Sequence, residues 1–88
     1  PQTLMDKGLT EAVDELCFQL NNLGGIEFKM TAFEIDESQI EEHKVGIYRV
    51  IQEIVSNIIK YASASKVQIS LTGLENELNI WKFFFIFL

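Results

Sequence analysis

The sequence predicts an α+β fold: a two-layer α/β sandwich with helices on one face of a mixed sheet. Three observations carry this. Apolar residues recur three and four apart over residues 9–20 and again over 39–62, the period of amphipathic helices. They alternate with polar residues over 26–32 and 67–72, and again at Leu78 and Ile80, the period of strands with one buried face. Short polar or glycine-containing stretches separate these blocks, so the order reads helix–strand–helix–strand–strand.

The first helix places Leu9, Ala12, Val13, Leu16, Cys17 and Leu20 on one face. Residues 10–14 supply polar and acidic groups suited to its N-terminal cap and dipole. Asn21-Asn22-Leu23-Gly24-Gly25 then stops it, with glycine where a left-handed C-cap is wanted. Next, Ile26, Phe28, Met30 and Ala32 form the inward face of a strand. Asp36-Glu37-Ser38 is a turn and a cap for the following segment.

Residues 39–62 read as one long helix, with an apolar arc of Ile40, Ile47, Ile51, Ile54, Val55, Ile58, Ile59 and Ala62. Gly46 is its weak point. Ser63-Ala64-Ser65 ends it, and Val67, Ile69 and Leu71 restore the two-residue period. Residues 73–76 form a hairpin-type loop before Leu78 and Ile80 resume the alternation.

Composition narrows the function classes. The chain has 88 residues, 48% of them hydrophobic and 23% charged, which is globular. Thirteen carboxylates against seven basic side chains, net −6, argue against nucleic-acid binding, which needs Lys and Arg to neutralise phosphates. A single cysteine, Cys17, excludes an internal disulfide and reads as a small core residue. Residues 83–88 hold four of the seven phenylalanines but are far too short to cross a bilayer, so no membrane contact is expected of this segment. No secretory signal opens the chain, and the cytoplasm is the default compartment. A start on Pro1 suggests a piece of a longer protein.

The informative segment is residues 48–62. At about 100° per residue, Glu53, Asn57 and Lys60 fall on one line of the helix surface. An amide oxygen is a hard ligand suited to Mg²⁺, which takes few protein groups and fills its shell with water and phosphate oxygens. A lysine nearby can meet a phosphate as a point charge, and a carboxylate one turn earlier can orient a water. A plain solvated helix face has the same spacing. Asn57 is the residue such a face does not call for, since asparagine is a poor mid-helix residue. His43 reads as an exposed helix residue, and Glu34, Asp36, Glu37, Glu41 and Glu42 as a solvated turn and helix start whose spacing matches no calcium loop.

Residues 48–62, with Ser63-Ala64-Ser65-Lys66-Val67-Gln68-Ile69 after them, resemble the N-box region of bacterial sensor histidine kinases, members of the ATPase group that includes gyrase and MutL. Pro1, Leu4, Gly8-Leu9, Ala12-Val13 and Leu16 resemble the stretch joining the dimerisation helices to the ATP-binding domain. The resemblance implies a partial histidine-kinase-like ATPase fold with a long N-box helix. Residues 1–25 would be the linker and first helix, and 26–88 a truncated ATP-binding domain. It implies Asn57 as the Mg²⁺ ligand, Lys60 near the ATP phosphates, and Glu53 as the N-box acid, the catalytic residue. Tyr61 stands where the subfamily often has histidine, at the phosphate end, and an aromatic packed on the sheet is the other reading.

After this point the chain departs from the family. An adenine-binding aspartate is expected near position 84 and glycines near 86 and 88, where Phe84, Ile86 and Leu88 stand. The 83–88 tail therefore reads as a frameshifted or foreign ending, or as a strand continued under a partner. Trp81 reads as an edge or interface aromatic. The parent would phosphorylate a histidine from ATP and pass the phosphoryl group to a response regulator, while this chain binds neither ATP nor Mg²⁺ usefully alone. The competing reading is a non-catalytic ATPase-like interaction module of the anti-sigma or scaffold type. An incomplete sheet with an open edge and an uncovered apolar face implies a homo-oligomer.

Overall fold

Val67, Ile69 and Leu71 alternate with polar residues and make the middle strand of the sheet, buried at 2%, 0% and 0% exposure. The architecture around them comes from a computed structural model, which describes residues 1–73 in full and residues 81–87 by their backbone. Its elements are α1 (Gln2–Lys7), α2 (Leu9–Leu23), β1 (Glu27–Phe33), α3 (Glu37–Ile40), α4 (Lys44–Tyr61), β2 (Lys66–Gly73) and β3 (Trp81–Phe87). The sheet order is β1-β2-β3 and the sheet is mixed, as the sequence predicts. β1 and β2 are parallel, with Phe28 opposite Val67 and Met30 opposite Ile69, and α3 and α4 form the crossover that parallel pairing requires. β2 and β3 are antiparallel, with Ile69 opposite Phe85. The expected hairpin loop and the restart at Leu78 lie outside the described residues, as do the surroundings of the Trp81 side chain.

One face of the sheet is covered by helices. Leu4, Leu9, Val13 and Cys17 from α1 and α2 meet Tyr48, Ile51, Val55 and Ile58 of α4 over Phe28, Val67, Ile69 and Leu71. The other face is polar where β1 adjoins β2: the Thr31 and Ser70 hydroxyls lie 3.2 Å apart and the Gln68 amide donates to Thr31. Ala32 departs from its predicted inward position and is exposed: among the described residues β1 has a strand neighbour on one side only, and cover thins towards its end.

The predicted long helix is broken. Residues 41–43 are a turn, in which His43 N–H bonds the Ile40 carbonyl at 2.9 Å, and α4 starts afresh at Lys44. Gly46, the expected weak point, lies inside α4. Electrostatics favours the break where it falls. Glu41 closes α3, and both Glu41 and Glu42 stand just ahead of the longer α4, whose N-terminal dipole they complement. Lys44 is 6% exposed within the core-facing side of α4, and its Nζ turns back to both Glu41 oxygens at 2.9 and 3.1 Å.

The ends of α2 are also built differently from the local reading. Gly24 closes it with φ 79° and ψ 171°, a positive φ outside the left-handed helical region. No residue of 10–14 caps its start. Glu37 does, from 28 residues away: its carboxylate accepts from Leu9 N–H at 2.8 Å and from Thr10 N–H at 3.2 Å. Gly8 has φ 99°, and a Cβ there would lie 2.4 Å from the Glu37 Oε1. The acidic cluster is thus more than a solvated turn: Asp36 caps α3 through Ser38 N–H, Glu37 caps α2, and Glu41 neutralises Lys44.

Candidate functional site

The core-facing side of α4 is set by Tyr48, Ile51, Val55 and Ile58, all buried. At about 100° per residue, Glu53 lies nearly opposite their centre, with Asn57 and Lys60 close by on the same side. All three are exposed. The line drawn from spacing alone therefore exists as a solvent-facing ridge, held by an amphipathic helix whose other side is locked into the sheet.

The ridge is flanked by concave surface. On one flank a groove of about 540 Å³ is lined by Ile54, Asn57, Ile58, Tyr61 and Ala62. It shares Ile54 with a second groove of about 470 Å³ that runs along Gly46, Ile47, Val50 and Ile51 to His43 and Glu42. On the other flank, Lys60 lines a smaller hollow of about 250 Å³ with Gln52, Ser56 and Ile59 of α4 and Leu16 and Leu20 of α2. Asn57 and Tyr61 thus share one groove, while Lys60 opens to the opposite side and Glu53 stands one turn before Asn57. The four residues share a helix face without converging on one cavity.

Tyr61 is 81% exposed, so it does not pack on the sheet as the alternative reading of an end-of-helix aromatic requires. Its place on the groove wall follows from its position at the last residue of α4, off the buried side that Val55 and Ile58 define. The groove's apolar wall went unnoticed in the sequence. Its signal was the width of the apolar arc: Ile47, Val50 and Ile54 extend the arc further than α2 and the sheet can cover, and Val50 remains 58% exposed.

Asn57 offers one neutral side-chain oxygen to solvent, a turn before the end of α4, and a neutral oxygen is a donor type that Mg²⁺ accepts. Lys60 is the basic residue of the last turn, where a positive charge suits the helix dipole. Among the described residues no three His, Cys, Asp or Glu side chains gather into a protein-only metal site. Cys17 is buried, and that burial, with Asp14 nearby, pushes its thiol up to about 11, which makes it an inert core group. His43 is exposed, in the turn ahead of α4.

The chain is 37% identical over 71 residues to the sensor histidine kinase MctS of Rhizobium johnstonii. That match covers 81% of the chain and 15% of the relative. Two Bacillus subtilis proteins match at similar reach: the sensor histidine kinase ComP, 30% identical over 89% of the chain, and the sensor histidine kinase LiaS, 32% identical over 86%. The chain is related to sensor histidine kinases. It spans between 10% and 20% of the length of these relatives. No family model and no solved structure matches it. Among the described residues, no helix is long and apolar enough to cross a membrane.

Proposed function

We propose that this chain is part of the ATP-binding region of a sensor histidine kinase, and that α4 is the N-box helix carrying the metal and phosphate side of the site. The observation that carries the proposal is Asn57: an exposed mid-helix amide beside an apolar groove, in a chain related to kinases of this type. Asn57 would hold Mg²⁺ through its side-chain oxygen. Lys60 would screen the phosphates, and Glu53 would orient a water or the attacking group. Tyr61 would close the phosphate end of the groove. A Mg²⁺ ion held by Asn57 would supply positive charge against the phosphates during phosphoryl transfer. The residues themselves hold and orient, which is most of what this chemistry asks of a protein.

In the parent protein the γ-phosphoryl of ATP would pass to a histidine nitrogen, with ADP leaving, and then to an aspartate of a response regulator. The parent would work as a dimer with its site on the cytoplasmic side. The chain by itself offers the metal face without the adenine-binding aspartate, since Phe84, Ile86 and Leu88 stand where that motif is expected. Calorimetric titration of the chain with Mg-ATP tests this. Binding weaker than the micromolar range is expected, and a micromolar dissociation constant overturns the division between a retained metal face and a missing adenine side.

A further inference from the structure

We propose that Gly8 is a two-position joint between α1 and α2, held bent by the Glu37 carboxylate. The bend is large. The Thr3 hydroxyl donates to the Glu15 carboxylate, so α1 lies back alongside α2. In one continuous helix these residues would be about 18 Å apart, beyond the reach of their side chains.

The peptide N–H groups of Leu9 and Thr10 are among those that the bend deprives of helical acceptors. In an unbroken helix they would bond the carbonyls of Met5 and Asp6. Glu37 supplies one oxygen to each instead. The carboxylate therefore replaces two of the acceptors that straightening would restore. Gly8 serves both positions: at φ 99° it makes the turn and leaves room for Oε1, and it can also take helical angles. Leu4, 1% exposed, is the second hold on the bent position, because straightening withdraws it from the core.

Glu37 opens α3, which leads through residues 41–43 into α4. Bending at Gly8 and the placement of the α3 start are thus one linked event. A pull or rotation applied to α1 is felt at the segment that precedes the candidate site. This linkage rests on the chain's own contacts and stands apart from the nucleotide reading.

Spin labels at exposed Gln2 and Gln19, on a Cys17→Ser background, read the joint by pulsed electron resonance. The native joint gives a short distance, since the bend folds residue 2 back beside α2. A fused helix gives a Cα separation of about 25 Å. Glu37→Ala is expected to introduce a minor long component, and Glu37→Ala with Gly8→Ala to make it the major one. Glu37→Gln, which retains one oxygen and no charge, guards against a variant too unstable to read and is expected to show a detectable long component. A distribution unchanged from native in Glu37→Gln, or in a folded double variant, overturns the proposal and leaves Leu4 packing as the cause of the bend.

Discussion

The Asn21 side chain grips Phe28 by both of its peptide groups. Its Nδ2 donates to the Phe28 carbonyl at 2.8 Å, and its Oδ1 accepts from the Phe28 N–H at 2.7 Å. Both groups of one strand residue point the same way, so the pair that Asn21 occupies faces away from β2. The last turn of α2 thereby acts as a short stretch of neighbouring strand and closes the start of the open β1 edge.

Asn21→Ala removes two partly buried hydrogen bonds, and a loss of about 1–2 kcal/mol in urea unfolding is expected. Asn21→Asp keeps the acceptor but sets a carboxylate against the Phe28 carbonyl, so it should gain little over alanine. Hydrogen exchange at the Phe28 amide is the local check: it should accelerate in Asn21→Ala more than at Val67.

Lys44 and Glu41 behave asymmetrically on substitution. Glu41→Gln weakens the pairing of a buried ammonium and is expected to cost about 1–3 kcal/mol. Lys44→Met puts an apolar chain of similar length among Tyr48 and Ile51 and should fall within about 1 kcal/mol of native, or above it. Denaturant midpoints of the two variants decide this.

Gly73 ends β2 against the chain leaving β1. A Cβ there would lie 2.0 Å from the Glu34 carbonyl oxygen, a backbone atom that cannot rotate aside. Gly73→Ala is therefore expected to destabilise by about 2 kcal/mol or more. Glu34 itself has φ 53°, uncommon for a side chain of its kind. Glu34→Gly, which accepts that angle freely, should raise stability by a few tenths to about 1 kcal/mol in the same assay.

Cys17 gives an alkaline signature. Its folded value, about 11, lies above the ordinary thiol value of 9.0 because burial, and then the Asp14 charge, disfavour the thiolate. Folding thus favours the protonated form. Its contribution is fully present below pH 9 and is lost as pH rises through 9 towards 11. Tyr48, also raised by burial, adds to the decline at the upper end. The fall in stability over this interval should be shallower in Cys17→Ala, measured by urea unfolding at each pH.

The elements that sequence periodicity resolved are those whose burial is decided locally. Val13 and Cys17, or Ile69 and Leu71, each announce a buried face by spacing alone. The break at residues 41–43 was hidden because Ile40 and Ile47 keep the phase of a continuous helix across it, while Gly46 offered a more obvious place. The Glu37 cap and the Asn21 clip were out of reach for a different reason: their partners are set by tertiary geometry, and any of several acidic or amide residues could have filled the role. For the site, spacing placed Glu53, Asn57 and Lys60 on one ridge, as found. Which flank each one faces depends on how α2 and the sheet cover α4, and Lys60 and Asn57 fall on opposite sides.

Under the proposed function, Asn57 marks a metal and nucleotide face on α4. Amide relaxation in the isotope-labelled chain, titrated with Mn²⁺ and a non-hydrolysable ATP analogue at millimolar concentration, reads that face even when binding is weak. Paramagnetic broadening centred on residues 53–61 is expected, dependent on the nucleotide and lost in Asn57→Ala. Broadening centred on the acidic turn at residues 34–42, or unchanged in Asn57→Ala, would contradict it.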